Sequence, residues 1–176
     1  SAWKGKQILL HFGAVDWKAD VWVNDVKVGQ HTGGFTPFYF DITSALNKGN
    51  NQLVVKVWDP SDRGEQPRGK QVERPGGIWY TPVTGIWQTV WLEPGAAQHI
   101  AQLKTTPDID KKTVKVEVAT NVCSPDKVEV KVFDGKNLVA KGAALNGVPV
   151  ELTMPEDVKL WTPESPSLYN MEVTLY

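Results

Sequence analysis

The chain has 176 residues, of which 41% are hydrophobic, 22% charged and 10% aromatic. That composition excludes a disordered tail or a low-complexity segment, and folding at this length buries roughly 70% of the unfolded surface. Nineteen basic residues against twenty acidic ones leave a net charge of −1, without the basic excess that a general binder of nucleic acid or of an anionic membrane needs.

From the N-terminus, Ser1-Ala2-Trp3 does not open like a signal peptide. No apolar run in the chain approaches the ~18 residues of a membrane span. Secreted, periplasmic and cytoplasmic settings all stay open. Ile8, Leu10 and Phe12 share one face, as do Val21 and Val23, and this period of two predicts strands with one face buried. Asn24-Asp25 interrupts the next run, Val21 to Val28, with two residues that tolerate positive φ, predicting a two-residue hairpin turn. A single helical turn is expected near Asp41 to Leu46, stopped by Gly49. Leu53, Val55 and Val57 resume the alternation.

The segment from Asp59 to Gly77 carries no strand pattern and is dense in Asp, Arg, Lys and Gln. So long a loop in a compact domain is uncommon and is often functional. Its polar groups suit hydrogen bonding to hydroxyls or docking on another domain, and equally suit a plain solvated loop. A Pro94-Gly95 turn followed by small residues then divides the chain. Residues 1–95 hold seven of the eight Trp and all three Arg, whereas residues 96–176 hold only Trp161 and nine Lys. Two modules, 1–95 and 96–176, are therefore expected.

In the second module Val114/Val116/Val118, Val128/Val130/Val132, Val148/Val150/Leu152/Met154 and Met171/Val173/Leu175 alternate with polar residues. Ser124-Pro125-Asp126, Asp134-Gly135 and Asn146-Gly147 supply turns between them. No stretch sustains a 3.6-residue apolar period, so the whole chain reads as all-β, built of antiparallel sandwiches.

Chemistry is sparse. No glycine-rich loop leads into a helix, and no nucleophile elbow or metal-ligand spacing is present. His11, His31 and His99 are scattered and read as structural. Cys123, the only cysteine, excludes an internal disulfide and a thiolate zinc cluster. Trp22, Trp58, Trp87 and Trp91 are placed within strand patterns opposite the aliphatic stripe, where packing is favoured over stacking on sugar.

Several motifs in order then carry a resemblance. Leu10 to Asn24, Gly29-Gln30-His31-Thr32-Gly33-Gly34-Phe35-Thr36-Pro37-Phe38, Phe40-Asp41-Ile42-Thr43, Gly49 to Val57, and Gly85-Ile86-Trp87-Gln88-Thr89-Val90-Trp91-Leu92-Glu93 resemble the sugar-binding-type jelly-roll domain of family 2 glycoside hydrolases. This is the β-galactosidase, β-glucuronidase and β-mannosidase group. Leu160-Trp161-Thr162-Pro163-Glu164-Ser165-Pro166-Ser167-Leu168-Tyr169 resembles a segment of that family's immunoglobulin-like domain, with Trp161 and Tyr169 expected to pack beneath an extended crossover.

The resemblance implies a jelly-roll (galactose-binding-like) β-sandwich followed by an immunoglobulin-like β-sandwich. It also implies a piece of a longer enzyme, lacking the first strands of the first domain and the last strand of the second. The (β/α)8 barrel that holds the family's two catalytic glutamates has no counterpart, so the chain alone is expected to be inactive. Its substrate-binding candidates are Asp59, matched by position to a family residue near the sugar and expected to bind substrate hydroxyls or a cation, and Arg68, Lys70 and Gln71, expected to meet either the sugar or the barrel surface. No cofactor is identifiable, although such enzymes leave room for a cation near the active site. Expected partners are a carbohydrate substrate, the catalytic barrel of the same polypeptide and, through an unpaired sheet edge, a second copy in a homo-oligomer. Neither nucleic acid nor membrane is among them. The rival reading is a free-standing carbohydrate-binding module.

Overall fold

Alternation becomes sheet throughout the computed structural model, which describes residues 3–124 and 126–176. Ser1 and Ala2 lie outside the described residues. So does Pro125, and with it the turn expected at Ser124 to Asp126. The chain divides into two compact units, one running to Ala97 and the other from Gln98 to Tyr176. Among the described residues every regular element is a strand except one short 3₁₀ turn.

The first unit contains β1 (Gln7–Phe12), β2 (Val15–Asp16), β3 (Lys18–Val23), β4 (Val26–Thr32), β5 (Phe38–Asp41), β6 (Leu53–Trp58), β7 (Gly85–Ile86) and β8 (Val90–Gly95). Two antiparallel three-stranded sheets, ordered β5-β1-β8 and β4-β3-β6, carry the core. Ile8, Leu10 and Phe12 from one sheet meet Ala19, Val21 and Val23 from the other, all buried. Burying a side chain of this kind is worth about 1.5–3 kcal/mol, so these strands stabilise the sandwich and fix its register together. On the outer strands the same faces are less well covered. Leu92 and Leu53 sit opposite buried Leu10 and Val23, yet are 48% and 45% exposed.

Turn chemistry follows the residues. Asn24 and Asp25 adopt φ of 48° and 65° between β3 and β4, the mirror-image turn that matches strand twist. The Asn24 side chain also ties the turn down: its Nδ2 donates to Ala45 O at 2.8 Å, and its Oδ1 accepts from Gln52 N at 2.9 Å. The expected helical turn is the 3₁₀ turn Thr43–Ala45, opened by Asp41 Oδ1 accepting from Thr43 N at 2.9 Å.

The second unit contains β9 (Ile100–Asp108), β10 (Thr113–Thr120), β11 (Lys127–Asp134), β12 (Asn137–Leu145), β13 (Val150–Thr153) and β14 (Asn170–Leu175). Its sheets are β13-β10-β9 and β12-β11-β14, antiparallel throughout. Val116, Val128, Val130, Val132, Val150 and Leu152 form its buried core. On the opposite face of β11, Glu129 is buried between Lys131 Nζ at 2.9 Å and Lys141 Nζ at 3.3 Å. The Lys131 hydrogen bond leads in holding its carboxyl down to about 2.

Two expectations need correction. Trp87 is not in a strand, because β7 ends at Ile86. Trp161 does not pack beneath the crossover: it is 59% exposed. Only Tyr169 packs against the core, its hydroxyl accepting from Lys159 N at 2.8 Å.

Candidate functional site

The loop after β6 is longer than its sequence suggested, running from Asp59 to Thr84 before β7 begins. It is organised by its own polar groups. Asp59 Oδ1 accepts from Ser61 N at 2.7 Å, an Asx turn of the kind short acidic side chains make. Arg63 N donates to Pro60 O at 3.0 Å. The Arg63 guanidinium grips Glu73 from two nitrogens, at 2.5 and 2.8 Å, which raises the Arg63 pKa. Farther on, Tyr80 N donates to Lys70 O at 2.8 Å and Val72 N to Tyr80 O at 3.1 Å, pairing Gln71 with Tyr80.

The end of this loop is joined to the sandwich by a two-residue ladder. Val15 pairs with Ile86 and Asp16 with Gly85. Gly85 has φ of +117°, a conformation that disfavours any residue with a Cβ. Beside the ladder, Gly33 N donates to Trp17 O at 3.1 Å, and Gly34 lies so close to Asp16 that a Cβ there would stand 2.7 Å from Asp16 Oδ1. The Gly33-Gly34 bend thus makes room for a carboxylate.

These elements enclose a cavity of about 460 Å³ lined chiefly by Asp16, Phe35, Arg68, Gln71, Thr84 and Trp87. The Trp87 indole N–H donates to Gly34 O at 2.7 Å, and Phe35 meets its ring edge-on with centroids 6.0 Å apart. Half of the Trp87 surface stays exposed. Burial, and secondarily the negative charge of Asp59, push the Asp16 carboxyl above its ordinary range. A second cavity of about 420 Å³ is lined by Trp17, Trp58, Asp59, Arg63, Gln66 and Glu73. Thr84 connects the two: it lines the first, and its hydroxyl donates to Asp59 Oδ2 at 2.8 Å.

Of the four predicted substrate-binding residues, Arg68 and Gln71 therefore share the first cavity, and Asp59 lies in the second. Lys70 lines neither; its Nζ stands 6.0 Å from the Tyr80 ring centroid. Asp16, Phe35 and Thr84, which also line this cavity, were not among the sequence candidates, and Trp87, expected to pack, meets Phe35 and Gly34 while lining it. The available signal was Gly33-Gly34 beside Phe35, an apolar residue placed in a turn. Among the described residues no three His, Cys, Asp or Glu side chains gather where a metal could be held.

The fold and these cavities define an all-β protein of two successive antiparallel sandwiches, the first bearing a loop-built polar and aromatic pocket. The chain belongs to glycosyl hydrolases family 2: the family's sugar binding domain matches residues 1–93, and a second model described as glycosyl hydrolases family 2 matches residues 98–176. Among similar proteins, a β-galactosidase from Thermoanaerobacter pseudethanolicus is 28% identical, over 98% of this chain and 24% of its own length. A putative β-glucuronidase from Formosa agariphila is 29% identical, over 94% of this chain and 20% of its own. Among solved structures, a β-glucuronidase from Ruminococcus gnavus in complex with a C6-substituted uronic isofagomine matches all of this chain with a TM-score of 0.75 at 22% identity, over 31% of its own length. The chain thus spans between a fifth and a third of the length of these three proteins.

Proposed function

We propose that the two units form the non-catalytic N-terminal portion of a longer, retaining family 2 glycosidase of the β-galactosidase type. The observation that carries this reading is the order of the two family matches along a chain that spans only 24% of the β-galactosidase relative. Retaining hydrolysis needs an acid/base carboxyl and a nucleophilic carboxylate about 5 Å apart on either side of the glycosidic bond. In this reading a (β/α)8 barrel elsewhere in the polypeptide supplies that pair. The first unit shapes the rim of the active site. In this reading Asp59, held by Ser61 and Thr84, binds substrate hydroxyls, and Arg68, Lys70 and Gln71 of the same loop meet the sugar or the barrel surface.

The test is expression of the 176-residue chain and of the longer polypeptide, each assayed on nitrophenyl β-galactoside and β-glucuronide. The longer protein should hydrolyse the galactoside preferentially, and the chain alone should hydrolyse neither. Activity of the short chain, or inactivity of the longer one on every β-glycoside, would overturn the proposal.

A further inference from the structure

We infer that the cavity between Phe35, Trp87 and the Asp16–Gly85 ladder is itself a carbohydrate subsite, and that it takes a neutral pyranose rather than a uronic acid. The inference rests on the reading that the first unit of this chain meets carbohydrate. It assigns residues and a substrate class which that reading leaves open.

A pyranose has an apolar face of C–H groups and a rim of hydroxyls, so a site for it needs an aromatic wall beside directional polar groups. Both are present. Trp87 is held by its indole N–H on Gly34 O and by the edge contact with Phe35, and still leaves half its surface open to the cavity and solvent. Ordering it therefore costs little on binding. Around it stand a carboxylate acceptor (Asp16), a guanidinium donor (Arg68), an amide that both donates and accepts (Gln71) and a hydroxyl (Thr84). That inventory matches a row of hydroxyls, each of which donates once and accepts twice. About 460 Å³ lies within the range of small-ligand sites.

Charge decides the class. Asp16 lines the cavity, and burial first, with the negative charge of Asp59 second, opposes its ionisation. The one lining cation, Arg68, has Nη1 3.9 Å from Asp62 Oδ2. The neighbouring Arg63 is occupied by Glu73. A ligand carboxylate would thus meet Asp16 beside a single lining cation, Arg68, whose charge is shared with Asp62, and like charges repel most where water is partly excluded.

Saturation-transfer NMR on the 176-residue chain tests this, with methyl β-D-galactopyranoside and methyl β-D-glucuronide as probes at equal concentration. The galactoside should receive at least fivefold more transfer than the glucuronide. Trp87→Ala should abolish it. Trp87→Phe, which keeps a ring but loses the Gly34 tether, should weaken it severalfold. Asp16→Asn should narrow the preference by weakening the galactoside and admitting the uronide. Circular dichroism would check that each variant is folded. Absence of transfer to either sugar, transfer to the uronide equal to or above that of the galactoside, or an undiminished signal in folded Trp87→Ala would overturn the inference. Because binding is read without catalysis, failure here leaves the glycosidase reading intact. Conversely, a longer protein inactive on every nitrophenyl glycoside would sink that reading while the binding result stood.

Discussion

Gly29 offers a sharp test of the packing in the first unit. It lies in β4 opposite Val21, and a Cβ built there would stand 2.1, 2.4 and 2.7 Å from Cε1, Cδ1 and Cζ of Phe40. Ordinary carbon contacts begin near ~3.5 Å, so Gly29→Ala must displace the ring by more than ~1 Å or push β4 outward. Overpacking of this kind costs about 1–3 kcal/mol, partly offset by about 0.4–1 kcal/mol from the stiffer unfolded chain. A net loss of about 1–2 kcal/mol is expected. Phe40→Leu trims the opposing ring and should cost about 1 kcal/mol by itself. In the double variant the new methyl group fills the vacated space, so the combined loss should fall short of the sum by about 1 kcal/mol. Urea unfolding followed by Trp fluorescence reads this unit selectively, since it holds seven of the eight Trp. Additivity within ~0.5 kcal/mol, or a stabilised Gly29→Ala, would refute the contact.

Three further outcomes are expected. Glu129, with its carboxyl held at about 2 by Lys131 and Lys141 against an ordinary 4.5, stabilises the second unit above pH ~4.5 and loses that contribution as pH falls toward 2; Glu129→Gln should flatten thermal stability across this window, and an unchanged pH profile would count against it. Arg63 and Glu73 pair on the surface, with side chains 75% and 38% exposed, so replacing either should leave the calorimetric melting temperature nearly unchanged, and less altered still at high salt. In the longer enzyme Asp59→Asn should reduce kcat/KM on a β-galactoside at least about tenfold, the worth of one charge-assisted hydrogen bond, whereas unchanged kinetics would remove Asp59 from substrate binding.

The fold could be read from the sequence because its signals are local and repeated. Val128, Val130 and Val132 alternate with charged residues, and the same three are buried in β11. Asn24-Asp25 announced its turn because few residue pairs accept φ near +50° to +65° at adjacent positions. Trp87 and Trp161 were misplaced for the converse reason. An aromatic residue near a period-two run looks the same whether it caps a core or stands in solvent, and only tertiary neighbours separate the two. The first cavity was half legible. Arg68 and Gln71 belong to a visibly polar loop, but Asp16 and Phe35 are distant in sequence and join it only through the β2–β7 ladder and the Gly33-Gly34 bend.

That ladder explains why the chemistry gathers at one place in the unit. A loop of polar residues has little to bury and cannot hold a geometry without anchors. Here one end continues directly from β6, and the other is clamped where Val15 pairs with Ile86 and Asp16 with Gly85. Val15 is wholly buried in the core, so its position is set by packing, and it carries Asp16 with it to the cavity. The hydroxyl of Thr84, one residue before the clamp, then reaches back to Asp59 at the start of the loop. Core packing is thereby transmitted through a single peptide unit to a carboxylate, and from a threonine to the opposite end of the loop. A change that loosens Val15 should therefore disturb the Asp16 cavity together with the core that fixes it.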